Sequence, residues 1–391
     1  GSGTSSSYDG INMVKRGDVV TVTVNHRLNV FGYLHLGDLA GKDLESSGNA
    51  GMLDIVLALQ WVRDNIERFG GNPSNVMIFG ESGGGAKVSV LMGMPGAKGL
   101  FHRAVVQSGP GLRVETRENA TKLAAILFAE LGIEASKLDA LRAVPADKLL
   151  AAHTAAAAKA SRDGGGSFRP VIGADLPHHP FDPTGPAESA DVPLMIGSNQ
   201  HEQTLFVTGD LALYELDDAG LRERVARLDA KHAGDLIDTY RKGQPKATPS
   251  DLYFTLASDQ RFRMNSIRLA ERKADQRAAP VYMYRFDWRT PAWEGRFRAA
   301  HAFEIPFVFA NAQLNDDITG GGPDAVALAA KMSDAWIAFA RSGKPSHAGI
   351  PEWPAYTRER RSTMLWNDVC AVADDPGRDE RLLWERIEAE T

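Results

Sequence analysis

Residues 76–88 read VMIFGESGGGAKV: four apolar residues run into a Gly-x-Ser-x-Gly pentapeptide and a run of small residues leaves it. A serine hydroxyl is a weak nucleophile until a base takes its proton and an acid orients that base. The context suits such activation. A strand before Ser82 and a helix after it would force the serine into a sharp, strained turn. Gly80 and Gly84 are expected to remove Cβ atoms that would collide where strand and helix nearly touch. The hydroxyl would then stand at the carboxyl end of a sheet, where open α/β folds place their ligands. The helix N-terminus behind it would turn the backbone N–H of Gly83 toward a developing oxyanion. The competing reading is a glycine-rich turn with an incidental serine.

In folds built around such an elbow, the chain order is serine, acid, histidine. Downstream of Ser82 stand His102, His153, His178, His179, His201, His232, His301 and His347. The stretch VPLMIGSNQHE offers a strand ending near Ile196, with Glu202 in the loop beyond it. His301 follows VYMYRFDW and a loop containing Gly and Arg, and precedes the apolar FEIPFVFA, which could anchor it. His201 lies in the acid's own loop, with no later strand to place it. His178 and His179 sit between prolines in an expected surface loop, with no further ligands at metal-binding spacing. Gly164 to Gly166 lack the following Lys-Ser/Thr of a phosphate loop and read as a flexible connection. On pattern alone, Glu202 and His301 stand evenly between catalytic and ordinary surface roles.

Certain elements must position these groups. Asp18 to Asn25, DVVTVTVN, is β-branched and reads as a buried parallel strand. Asn49 to Phe69 carries apolar residues at helical spacing (Leu53, Val56, Leu57, Leu59, Trp61, Val62, Ile66), and Gly70-Gly71-Asn72-Pro73 ends it. Val76 to Phe79 reads as a strand, Ala86 to Met92 as a helix and Ala104 to Gln107 as a further strand. This alternation predicts a mostly parallel α/β sheet. Residues 115–160 turn Ala- and Leu-rich and helical. Strand signals return at 170–172 and 192–196, and residues 210–273 are mostly helical again. Val281 to Trp288 is a late strand and Asp324 to Arg341 a long helix. The tail, 352–388, reads as turns and then helix. The expected division is a sheet core with the elbow (1–114), a helical insertion (115–168) and a return to the sheet with the acid loop (169–208). A helical cap (209–275) and a C-terminal part of the core with the histidine (276–391) follow.

The chain has 391 residues, 43% of them hydrophobic, enough for a large core and against disorder. A net charge of −6 with no basic stripe argues against nucleic acid. No apolar run reaches the roughly 18 residues of a membrane span. Cys370 is the single cysteine, so no internal disulfide can form, which fits a reducing compartment.

Several ordered stretches resemble the type-B carboxylesterases, the family of bacterial para-nitrobenzyl esterases and the cholinesterases. They are YDGINMVKRGDVVTVTVNHRLNVFGYL, NAGMLDIVLALQWVRDNIERFGGNPSNVMIFGESGGG, GLFHRAVVQSGP, VPLMIGSNQHEQTLF, AHAFEIPFVF and AWIAFARSGKPSHAGIPEWPAY. The resemblance covers nearly the whole chain and implies an α/β-hydrolase fold with helical cap insertions. It places the nucleophile on Ser82, the acid on Glu202 and the base on His301. The acid's loop reads His-Glu-Gln where the family usually has Asp-Glu-Gly. Gly83 stands where alanine is usual and still supplies its N–H. Glu81 falls on a glutamate that lies beside the histidine and favours its protonated form, or else makes a structural hydrogen bond.

The family's other oxyanion donors come from a His-Gly-Gly-Gly motif just upstream of the part matching GSGTSSSYDG, together with a central strand. The expectation is therefore a fragment of a longer chain, weakly active alone, whose partner would be its own N-terminal segment. Unpaired buried backbone groups would cost on the order of 1–3 kcal/mol each. The implied activity is hydrolysis of small to medium, largely apolar esters through an acyl-enzyme, without metal or organic cofactor, at a cytoplasmic location. Activity should fall as His301 becomes protonated at low pH. The alternatives are a non-catalytic cholinesterase-like binding protein, or the same serine chemistry on amides, carbamates or lactones. Phe206, Phe303 and Phe307 are candidate pocket walls, with core packing the simpler role for each.

Overall fold

The computed structural model describes residues 2–162 and 166–390. Gly164 and Gly165 of the expected flexible connection lie outside them. A six-stranded sheet runs in chain order, β1 (Met77–Glu81), β2 (Arg103–Gln107), β3 (Leu194–Asn199), β4 (Val281–Phe286), β5 (Ser362–Trp366) and β6 (Ala371–Asp374). The first five pair in parallel and β6 closes the far edge antiparallel to β5. Every residue of β3 is buried, as the apolar run Leu194 to Ile196 that opens it suits in a strand covered on both faces. The parallel register brings Glu81 beside Gln107 and Gln107 beside Gly197, so the carboxyl ends of β1 to β3 form one rim.

Helix α1 (Ala50–Asn65) ends through a short 3₁₀ turn at Gly70, whose φ of +82° suits a residue without a side chain. It buries Met52, Val56, Leu59 and Val62, while Leu57 and Trp61 of the expected apolar set stand in solvent. Helix α2 (Gly83–Met92) follows β1 directly. The insertion forms α3 (Arg117–Leu131) and α4 (Ala146–Arg162), which pack on one another and on Val30 and Leu34 as a satellite core. Thr116 caps α3 by accepting from the Asn119 N–H at 3.2 Å. In the second helical region, α5 (Pro249–Ser258) opens with a Thr248/Asp251 capping box. It runs through one π turn (Asp259–Arg263) into α6 (Met264–Ala274). Helix α7 (Pro323–Ser342) matches the long late helix, and α8 (Arg378–Ala389) the helical tail.

Three expectations fail. Residues 18–25 join no strand of the sheet, and Val20, Val22 and Val24 are 39–47% exposed. The segment has β-forming residues, but among the described residues no strand pairs with it. Residues 170–172 form a single bridge, Glu115 to Val171, rather than a strand. The tail contains β5 and β6, a hairpin where turns were expected. Among the described residues no helix is long and apolar enough to cross a membrane.

Candidate active site

Strand β1 delivers Glu81 and Ser82 to the rim, and α2 starts at the next residue. Ser82 adopts φ +55° and ψ −121°, a conformation that non-glycine residues rarely hold. Two backbone bonds secure it: its N–H donates to the Gln107 carbonyl at 2.8 Å, and its carbonyl accepts from the Ala86 N–H at 3.0 Å. Close backbone contacts complete the clamp. A Cβ on Gly80 would lie 2.5 Å from the Gly84 carbonyl carbon, and one on Gly109 only 1.9 Å from the Ser82 carbonyl oxygen. A Cβ on Gly84 would meet nothing within 4 Å. The expected two-sided collision is thus one-sided: Gly84 supplies the backbone that crowds Gly80, while its own Cβ direction is open. Gly109, in the loop after β2, is the second glycine that the turn requires.

Glu202 lies just beyond β3 and is fully buried; His301 lies beyond β4 and is 5% exposed. His301 Nδ1 hydrogen-bonds Glu202 Oε2 at 2.6 Å, and Glu202 Oε1 accepts from the Asn199 N–H at 2.7 Å. Both carboxylate oxygens are therefore held, one by the sheet's own backbone. The other ring nitrogen, Nε2, faces Glu81 Oε1 at 3.1 Å, close but without the alignment of a hydrogen bond. Among the described residues the Ser82 hydroxyl has no hydrogen-bond partner. The chain thus brings Glu202, His301 and the Glu81-Ser82 pair to one rim, with Glu81 rather than Ser82 beside Nε2.

Burial, and then the neighbouring Glu304 and Glu202, push the Glu81 carboxyl up to about 10. Glu81 thus lies beside the histidine, where the resemblance puts it, in surroundings that favour the carboxyl's protonated form. Glu304 is pushed up too, first by burial and then by Glu202, against the hydrogen bonds it accepts. Those come from Asn199 Nδ2 at 2.7 Å and Gln107 Nε2 at 3.0 Å. Asn199 Nδ2 also donates to the Ala300 carbonyl at 2.6 Å, tying β3 to the histidine's loop. Trp336 Nε1 donates to Gln107 Oε1 at 3.2 Å. Sequence reading missed Gln107, Asn199 and Glu304. The available signal was Glu304 itself, a lone charge inside the apolar FEIPFVF one turn after His301.

The rings of Phe206 and Phe262 lie 4.9 and 5.1 Å from the imidazole. Phe206 is 44% exposed and forms an open wall. Phe303 packs on Phe297 and Phe307 on Phe286 and Trp288, so both belong to the core. His201 is buried elsewhere, its Nε2 3.3 Å from an Arg289 nitrogen. His178 is exposed, and His179 accepts from the Val114 N–H at 3.3 Å.

The model of the carboxylesterase family matches residues 1–380. The para-nitrobenzyl esterase of Bacillus subtilis (strain 168) is 34% identical over 394 residues, spanning 97% of this chain and 76% of that protein. Phenmedipham hydrolase of Pseudarthrobacter oxydans is 30% identical over 98% of this chain and 76% of its own length. The crystal structure of the Geobacillus stearothermophilus carboxylesterase EST55 at pH 6.2 superposes with a TM-score of 0.82 at 38% identity. It covers 98% of this chain and 79% of that one. The chain belongs to the carboxylesterase family: it is a carboxylic ester hydrolase with the α/β-hydrolase fold.

Proposed function

We propose that Ser82, His301 and Glu202 are the nucleophile, base and orienting acid of this hydrolase. The observation that carries the reading is the 2.6 Å Glu202–His301 bond, set beside a serine held at positive φ between a strand and a helix. His301 Nε2 takes the Ser82 proton as the serine oxygen attacks the ester carbonyl. The Gly83 N–H, at the open end of α2, donates to the oxyanion. The alcohol leaves with the proton from His301, and an acyl-enzyme remains. His301 then activates water, and the carboxylic acid departs. Before the first step the imidazole must exchange its Glu81 contact for the Ser82 hydroxyl.

The substrates are small to medium, largely apolar esters, in keeping with the Phe206 and Phe262 rings beside the imidazole. A cytoplasmic location belongs to the same reading, supported by the single cysteine. The test is turnover of 4-nitrophenyl butyrate by wild type and Ser82→Ala, with unchanged circular dichroism. The variant should fall to the rate of the uncatalysed reaction. A loss of less than tenfold would overturn the assignment.

A further inference from the structure

The π turn between α5 and α6 inserts one extra residue into a helical run, a feature concentrated at functional sites. Its residues divide sharply. Asp259 accepts from the Tyr240 hydroxyl at 2.7 Å and from Arg263 at 2.9 Å, and Tyr240 accepts from Trp384 Nε1 at 2.9 Å. Arg263 also donates to the Pro376 carbonyl. These buried bonds lock the turn. Phe262 is buried against the imidazole of His301.

Arg261 points outward, and among the described residues no carboxylate or carbonyl accepts from its guanidinium. It lies instead across two rings, 4.6 Å from the Phe206 centroid and 5.2 Å from that of Phe262. The Phe206 ring is in turn 4.9 Å from the imidazole. Cation and base are therefore no farther apart than those two distances laid end to end. Stacking occupies the face of a guanidinium and leaves its N–H edge free, the edge that grips a carboxylate with two parallel hydrogen bonds.

We propose that Arg261 is a specificity-determining residue that binds a carboxylate carried by the ester substrate. The apolar body of the substrate spans Phe206 and Phe262, between that charge and the scissile carbonyl. The favoured class is an ester with a carboxylate at the far end of an aryl or short aliphatic group, a half-ester of a dicarboxylic acid or a carboxybenzyl ester. The inference rests on the serine-esterase reading above.

Two matched pairs test it. With the charge on the alcohol side, the butyrate ester of 4-(hydroxymethyl)benzoate is compared with that of 4-(hydroxymethyl)benzamide. With the charge on the acyl side, monomethyl adipate is compared with its primary amide. Wild type should favour the anionic member of at least one pair by about 3–30-fold in kcat/KM, carried by KM and shrinking with salt. Arg261→Gln should bring that ratio to about one, and Arg261→Lys should keep part of it. A merely structural arginine would lower both members together and leave the ratio intact. A wild-type ratio near one in both pairs, or one unchanged in Arg261→Gln, overturns the inference while esterase activity stands. Failure of wild type on all four esters and on 4-nitrophenyl butyrate would instead sink the esterase reading, and this inference with it.

Discussion

The rim of the sheet has a closed side and an open side. Around β3 everything is covered: all six residues are buried, strands pair on both flanks, and Glu202 and His301 share that cover. Strand β1 pairs only with β2 and every residue in it is half-buried. Upstream of it in the chain, Val20, Val22 and Val24, and Leu57, Trp61 and Phe69 of α1 and its 3₁₀ extension, face solvent. The acid and base are thus fixed by side-chain hydrogen bonds in a dry interior, where such bonds are strong. The serine is fixed by backbone alone, through the elbow's dihedrals and the glycines packed against it. Changes on the closed side should strike the charge that holds the imidazole or the core around it, whereas those on the open side should act through the geometry of one turn.

The largest expected effect is on the closed side. Glu202→Gln keeps the volume but removes the charge that holds the imidazole, and kcat should fall about 10⁴-fold with the fold retained. Core substitution separates the two sides next. Ile196→Ala in β3 should cost about 2–5 kcal/mol in urea unfolding, and Val24→Ala, already exposed, less than about 0.5 kcal/mol. Equal losses would erase the contrast. Within the elbow, Gly80→Ala drives a Cβ into the Gly84 backbone and should destabilise by about 1–3 kcal/mol, with lower kcat as Ser82 shifts. Gly84→Ala meets open space and should change stability little by the same melt.

A pH-dependent effect concerns Glu81. Its carboxyl, pushed from an ordinary 4.5 up to about 10, keeps its proton in the native state across the range where the unfolded chain has lost it. Native stability attributable to this group is complete below about pH 4.5 and declines as pH rises toward 10. In Glu81→Gln that decline should disappear, seen as a Tm a few degrees above wild type at pH 9 and no higher at pH 4.

The sequence made the open side's chemistry legible and misjudged its packing. Ser82 was readable because an apolar run, a glycine-flanked serine and a helical run leave little choice of turn. Chain order and the strands before them left Glu202 and His301 evenly between catalytic and surface roles, and only the family resemblance put the acid and base there. Residues 18–25 were misread because alternating Val and Thr say that a segment can pair, not that a partner lies beside it. Strands β5 and β6 escaped notice because the hairpin is short, and β6, four residues long and half-exposed, carries only Ala-Val-Ala as an apolar signal. Gln107 and Asn199 are strand-end polar residues whose value depends on sheet register, a property of the fold rather than of either position. Phe262 and Arg261 depend on a π turn, which shifts the helical period by one residue and hides from any 3.6-residue pattern.

The account's central claim is that Ser82 attacks with His301 as its base. Peptide mapping after treatment with a fluorophosphonate tests it most directly. The account predicts one adduct, on tryptic peptide 69–87, at Ser82 and not Ser74, lost in His301→Ala. An adduct at another residue, or equal labelling of Ser82 without His301, would contradict it.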